Sequence, residues 1–461
     1  MSEVITKTEK SIFHEMSIKE LISQLERGEK SPAQLAEACI HFTEKYNDKY
    51  KVWVTFDKEK IYRDCELSLK RIESGERIRN LESVPVGVKD IFNTIDFPTQ
   101  MGSPLWKGFT PGNDARVIYY LKMSGAIIPG KTDTAEFAVH AIGNCLNPHD
   151  ASRTPGTSSS GSSVAVALGM VPAAIGTQTA GSIVRPASFC GVYGCKPSFG
   201  LLPRTGMLKT TDSLDTIGFF TSTYEDLITM FETLRVHGSN YPLSDKALTD
   251  TKRQSKDKSR SWKAGFVKTH VWDYAPDYAK DAILGFVEDL NNTPGIDVTE
   301  IELPDALKKS HTVHETIYDK TLSYYFQEEL KEPEHVSAIM NNIFSRGSRI
   351  TKEKYLEALS EQEKLIHLTD EYMKDYDVLI SLSTSGEAPS RDEQEKPDPS
   401  LIWTLTHLPV ICSPKFISPA GLPFGVQFTA RKYNDYLLFK FTDYLREIGL
   451  IPEGANPLLN K

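Results

Sequence analysis

Apolar positions near the N-terminus recur at helical spacing. Leu21, Ile22 and Leu25 fall on one face of a helix that Ser17 can cap. The polar stretch over residues 26–32 breaks it. Ser31 followed by Pro32 then opens a second helix, with Leu35, Ala36 and Cys39 turned inward. From about residue 84 to 220 the pattern changes to short apolar runs, Val84–Val88, Ala126–Pro129 and Val171–Ile175. Helical stretches over Ala115–Ser124 and Ser162–Met170 separate them. Strands alternating with helices predict an α/β fold. Residues 245–262 are charged and read as a solvated loop. Residues 262–380 read as amphipathic helices rich in Glu and Lys, and Gly386–Pro399 as a second polar loop. The chain ends with a buried strand over 424–429 and a helix over 434–448. No internal repeat interrupts this order, which predicts one large domain over residues 1–461. Its core lies at about 70–225 and 400–450, beneath a variable helical cap at about 230–400.

Composition narrows the partners. A hydrophobic fraction of 39% with 25% charged residues is that of a folded globular chain. The net charge of −9, from 53 basic and 62 acidic residues, opposes binding to nucleic acid or an anionic membrane. Six scattered cysteines make no disulfide framework and point to a reducing compartment. Cys190 and Cys195 lie close together, but apolar flanks and the lack of a second pair make them buried small side chains. The N-terminal residues are polar and carry no signal-peptide core. The longest nearly apolar run, Val164–Gly176, is too short to span a bilayer. A cytoplasmic protein without a membrane span is expected.

Five motifs carry candidate chemistry. Residues 125–132 (GAIIPGKT) match a phosphate-binding loop letter for letter, yet Ala, Ile, Ile and Pro look like a buried strand. Pro129 also has no N–H to offer a phosphate. His311 and His314 could share a helix face around a metal, but no third ligand stands out, so no metal is assigned. The Gly/Ser-rich segment PGTSSSGSS, residues 155–163, lies between buried segments, which favours an anchored functional loop over a linker. In GTQTAGSIVRPA, residues 176–187, a strand enters a tight turn and a helix start. Free N–H groups there can face a negative oxygen beside Ser182. Lys89 closes the apolar run VPVGVKD. Either it snorkels at a strand end, or burial lowers its pKa and makes it a base. No Gly-x-Ser-x-Gly elbow is present.

Taken together, the last three motifs resemble the amidase-signature family. So do the linking segment at 112–138, the stretch CGVYGCKPSFGLLPRTG after Ser182, and SPAGLPFGVQF near the C-terminus. The resemblance implies a central twisted mixed β-sheet flanked by helices, and hydrolysis of an amide-type bond, with ester or carbamate also within reach. It implies Ser182 as nucleophile, Ser158 as a bridging serine held in a cis peptide (Ser159 if the alignment slips by one), and Lys89 as base. The N–H groups of Thr179, Ala180, Gly181 and Ser182 correspond to the oxyanion hole. No cofactor is implied, and the partner is a small amide, with a homo-oligomer compatible. Thr157 and Gln178 depart from the usual Gly and Asp, and Arg185 stands one place later than the usual arginine. Arg185 either reads a substrate carboxylate or pairs with an acidic residue of the core. Two alternatives accompany this reading: a glutamine-hydrolysing subunit of an amidotransferase complex, and a non-catalytic binding protein on the same scaffold.

Overall fold

Backbone hydrogen bonds and apolar burial are satisfied together here by one mixed sheet. A computed structural model describes residues 10–257, 259–456 and 458. Residues 1–9 of the polar N-terminus and Lys258 of the charged segment lie outside the described residues. The strands are β1 (Trp53–Phe56), β2 (Val86–Lys89), β3 (Gly130–Thr132), β4 (Ala173–Gln178), β5 (Tyr193–Lys196) and β6 (Thr216–Thr221). They continue with β7 (Trp262–Val267), β8 (Ile296–Ile301), β9 (Val378–Leu382), β10 (Val410–Ile417) and β11 (Pro423–Thr429). Among the described residues they form one eleven-stranded sheet in the order β1-β3-β2-β4-β6-β5-β10-β11-β9-β7-β8. Strands β3, β2 and β4 are mutually parallel, as are β9, β7 and β8, and the other pairs are antiparallel. Every residue of β2, β4, β5, β6, β9 and β11 is buried, so helices and loops cover both faces.

Local signals account for the N-terminal helices. Ser17 caps Ile18–Glu26 by accepting from the Glu20 N–H, and Leu21 and Leu25 are buried. Ser31 and Gln34 form a reciprocal capping box at the start of Pro32–Tyr50. The helices Arg116–Met123, Ser160–Ala167 and Asp435–Glu447 fall where the periodicity predicts them.

Three segments differ from the sequence reading. The run Ala126–Pro129 is not itself a strand: Ile127 only bridges Pro85, and the ladder proper is the next segment, β3. Pro129 has no N–H to donate and pairs through its carbonyl, which accepts from the Asp57 N–H. A helix, Pro242–Thr249, runs into the start of the charged segment read as a loop, with Ala247 and Leu248 buried. Within 262–380 the helices are accompanied by β7, β8 and β9, which extend the sheet at one edge. Strand β8 (IDVTEI) is largely exposed, so charged side chains conceal its strand character. Among the described residues no helix is long and apolar enough to cross a membrane.

Candidate active site

Parallel neighbours β2 and β4 end on the same side of the sheet, which brings Lys89 and Gln178 to one edge. Lys89 is fully buried at the end of β2. Its Nζ lies 2.8 Å from Ser158 Oγ, 3.0 Å from Ser159 Oγ and 3.0 Å from Thr177 Oγ1. All three partners are hydroxyls, so no carboxylate contact offsets the loss of hydration. Burial pushes the ammonium pKa down to about 7, against a smaller opposing pull from the Asp215 carboxylate. The base and snorkel readings of Lys89 therefore part here: the head group is inside.

The two adjacent serines are not equivalent. Ser159 Oγ donates to the Thr177 carbonyl at 3.1 Å and accepts from the Thr177 N–H at 3.3 Å, which ties it to β4. Ser158 Oγ has Lys89 as its partner, while the Ser158 carbonyl accepts from the Ala135 N–H and the Thr134 hydroxyl, each at 3.2 Å. The Thr157–Ser158 peptide is cis.

Ser182 sits on the turn between β4 and the helix Val184–Cys190, 5% exposed. No described residue holds its hydroxyl by a hydrogen bond. The turn is secured from behind. Thr179 Oγ1 donates to Asp215 at 2.8 Å, and Asp215 in turn accepts from the Thr210 and Thr211 N–H groups. His314 reaches the Thr179 carbonyl at 2.8 Å, and Thr404 Oγ1 reaches the Ala180 carbonyl at 2.8 Å. Gln178 Oε1 accepts from the N–H groups of Ile183 and Val184, capping the short helix from five and six residues upstream. The N–H groups of Thr179, Ala180, Gly181 and Ser182 have no acceptor among the described residues. Such a row of unengaged donors can bind a developing negative oxygen.

Arg185 is 3% exposed, and its guanidinium pairs with Glu395 and, at 2.9 Å, with Asp398. Burial alone would lower its pKa, but the two carboxylates outweigh that and raise it. Both come from the loop over 386–399, which the sequence reads only as polar. Glu395 also accepts from the hydroxyls of Thr154 and Thr157, at 2.9 and 2.8 Å, and from the Thr157 N–H at 3.1 Å. It thus joins the segment preceding Ser158 to the helix following Ser182. Asp398 lies against Gly181: a Cβ there would stand 2.2 Å from the carboxyl carbon, so only glycine fits. Of the two roles weighed for Arg185, these contacts favour pairing. Arg185→Leu would leave two buried carboxylates unpaired and should cost about 3–5 kcal/mol of stability. Thermal unfolding should show a lowered melting temperature, with turnover of charged and neutral amides falling together. A loss confined to carboxylate-bearing amides, at unchanged stability, would restore the recognition role.

The remaining motifs resolve differently. Lys131 of the phosphate-loop pattern is buried, 3.1 Å from Asp90 Oδ1, and donates to the Phe92 carbonyl and to Thr99 Oγ1. Its charge is used inside the core. His311 pairs with His270, whereas His314 turns inward to Thr179. Among the described residues no three His, Cys, Asp or Glu side chains are grouped to hold a metal ion. Cys190 and Cys195 are buried thiols. Sequence reasoning missed Thr177, Asp215, Thr404, Glu395 and Asp398, and weighed His314 only as a metal ligand. The departures at Thr157 and Gln178 were the available signals, since one brings a hydroxyl and the other an amide donor, and each demands a partner.

Comparison with known proteins bears on the family and the fold. The chain is 29% identical to a glutamyl-tRNA(Gln) amidotransferase subunit of Synechococcus elongatus, covering 89% of this chain and 93% of that one. A crystal structure of an amidase superposes with a TM-score of 0.83 at 25% identity, covering 94% of this chain and all of the other. The peptide amidase of Stenotrophomonas maltophilia shares the fold, with a TM-score of 0.80 at 20% identity over 98% of this chain and 99% of its own. A sequence model of the Amidase family matches residues 34–439. With that match across most of its length, the chain belongs to the amidase family of carbon–nitrogen hydrolases.

Proposed function

We propose that this protein hydrolyses small amides through an acyl-enzyme on Ser182, with Ser158 and Lys89 as its proton relay. The observation that carries the reading is the buried Lys89, surrounded by hydroxyls and 2.8 Å from Ser158 Oγ. Neutral Lys89 takes the Ser158 proton as Ser158 takes the Ser182 proton, and Ser182 Oγ bonds to the substrate carbonyl carbon. The carbonyl oxygen becomes negative and is received by the turn N–H groups, each worth about 2.7–4 kcal/mol if they act like other oxyanion-hole donors. Collapse breaks the C–N bond, and the amine leaves with a proton returned through Ser158. Water, deprotonated by the same relay, then releases the acid and frees Ser182. Ser158 suits the bridging role better than Ser159, whose hydroxyl proton is directed to the Thr177 carbonyl.

Charge bears on the substrate. Arg185 with Glu395 and Asp398 leaves one net negative charge beside Gly181, which disfavours a carboxylate there. A hydrolysis screen across acyl length, leaving group and charge, run against Ser182→Ala, tests the reading. Neutral amides should be turned over faster than carboxylate-bearing ones. One observation favours a second reading, the near full-length similarity to a glutamyl-tRNA(Gln) amidotransferase component. Glutaminase activity that emerges only with partner subunits would establish that role instead.

A further inference from the structure

The four backbone donors beside Ser182 must point the same way before substrate arrives, and a tight turn of small residues cannot enforce this alone. A trans peptide is planar, with its C=O and N–H directed oppositely. Whatever grips the carbonyl of Thr179 therefore aims the N–H of Ala180, and whatever grips the carbonyl of Ala180 aims the N–H of Gly181. Those grips exist, and both come from far along the chain. His314 Nε2 lies 2.8 Å from the Thr179 oxygen, and Thr404 Oγ1 donates to the Ala180 oxygen at 2.8 Å.

Both side chains are built for the task. His314 is 4% exposed on the helix Ser310–Tyr325, with Tyr318 stacked on its ring at 5.6 Å. A carbonyl can only accept, so Nε2 carries the hydrogen, and burial keeps the ring neutral by lowering its pKa to about 4. Thr404 is fully buried on the helix Leu401–Leu405, and its oxygen also receives Gln178 Nε2 at 3.0 Å. Each hydrogen bond on a carbonyl also polarises its peptide and strengthens the N–H on the other side.

We infer that His314 and Thr404 are positioning residues for the oxyanion hole, orienting the Ala180 and Gly181 N–H groups through the backs of their peptide planes. The inference rests on the proposed function of the turn. It gives His314 a use unrelated to metal and brings one helix of the expected cap region, Ser310–Tyr325, into support of the catalytic turn.

The test compares variants that keep or remove the donor at similar volume. His314→Leu and Thr404→Val should each lower kcat by roughly tenfold or more, with KM changed by less than about threefold. Phosphonylation by a fluorophosphonate should slow in parallel, since its P=O oxygen occupies the same hole. His314→Gln and Thr404→Ser, which retain donors, should recover most of the rate. A purely structural role would depress stability without a kcat-against-KM split or donor-dependent rescue. If His314→Leu does not fold, the Thr404→Val and Thr404→Ser pair decides the matter. Losses falling on KM, or equal losses with and without a donor, would overturn the inference. A Ser182→Ala control separates the failures. Activity retained there refutes the site itself, whereas an inactive Ser182→Ala beside unimpaired His314→Leu and Thr404→Val refutes only the positioning.

Discussion

Ser182→Ala is expected to lower kcat by about 10⁴-fold or more, as removal of a hydrolase nucleophile does elsewhere, without lowering the melting temperature. The hydroxyl is the one side chain of the turn that no described neighbour uses, so deleting it breaks no structural hydrogen bond. Its backbone N–H remains, and the donors of Thr179, Ala180 and Gly181 stay in place. Substrate binding should therefore persist while chemistry stops. Steady-state assays on purified variant and wild type, with unfolding curves recorded together, measure both. More than a few per cent of residual turnover in a folded variant would remove Ser182 from the mechanism.

Lys89→Met should be comparably damaging to activity, and its pH behaviour is the more informative part. The base must be neutral, and Lys89 gains its proton as pH falls through about 7. The wild-type rate should rise about tenfold per pH unit below that value and level off above it. The variant's residual rate should lack this limb. Stability should also rise with pH, over a higher window. The unfolded chain holds the lysine proton up to the ordinary value of 10.5, whereas the folded chain has shed it above about 7. Between these values the unfolded state binds more protons, so this group makes stability rise with pH. Below about 7 the folded state carries a buried ammonium at full cost. Lys89→Met relieves that cost, so its melting temperature should exceed the wild type's most clearly in acid. An activity profile that falls above pH 7 would assign the base to another residue.

The parts of this site legible in the sequence are those carried by local pattern. The strand ending at Lys89, the small-residue turn at Ser182 and the capped helices at Ser17 and Ser31 announce themselves within a dozen residues. Resemblance to the amidase-signature family supplied the cis position at Ser158, which lies where the structure has it. Much of what stayed hidden depends on partners between 135 and 238 residues apart along the chain. Glu395 and Asp398 sit in a stretch whose composition says only loop, and their meaning comes from Arg185 and Thr157 waiting beneath it. His314 resembled a ligand because its partner is a backbone carbonyl, which leaves no mark in side-chain spacing. The strands β7, β8 and β9 were obscured by intervening helices and, in β8, by charged residues facing solvent.

On the proposed mechanism Ser182 forms the covalent bond, served by Ser158 and Lys89. Reaction with a fluorophosphonate, followed by proteolysis and mass spectrometry, tests it most directly. One adduct per chain is expected, localised by fragmentation to Ser182 itself, formed more slowly below pH 7 and absent in Ser182→Ala. An adduct on Ser158 or Ser159, or none at all on a folded and active enzyme, would contradict the account.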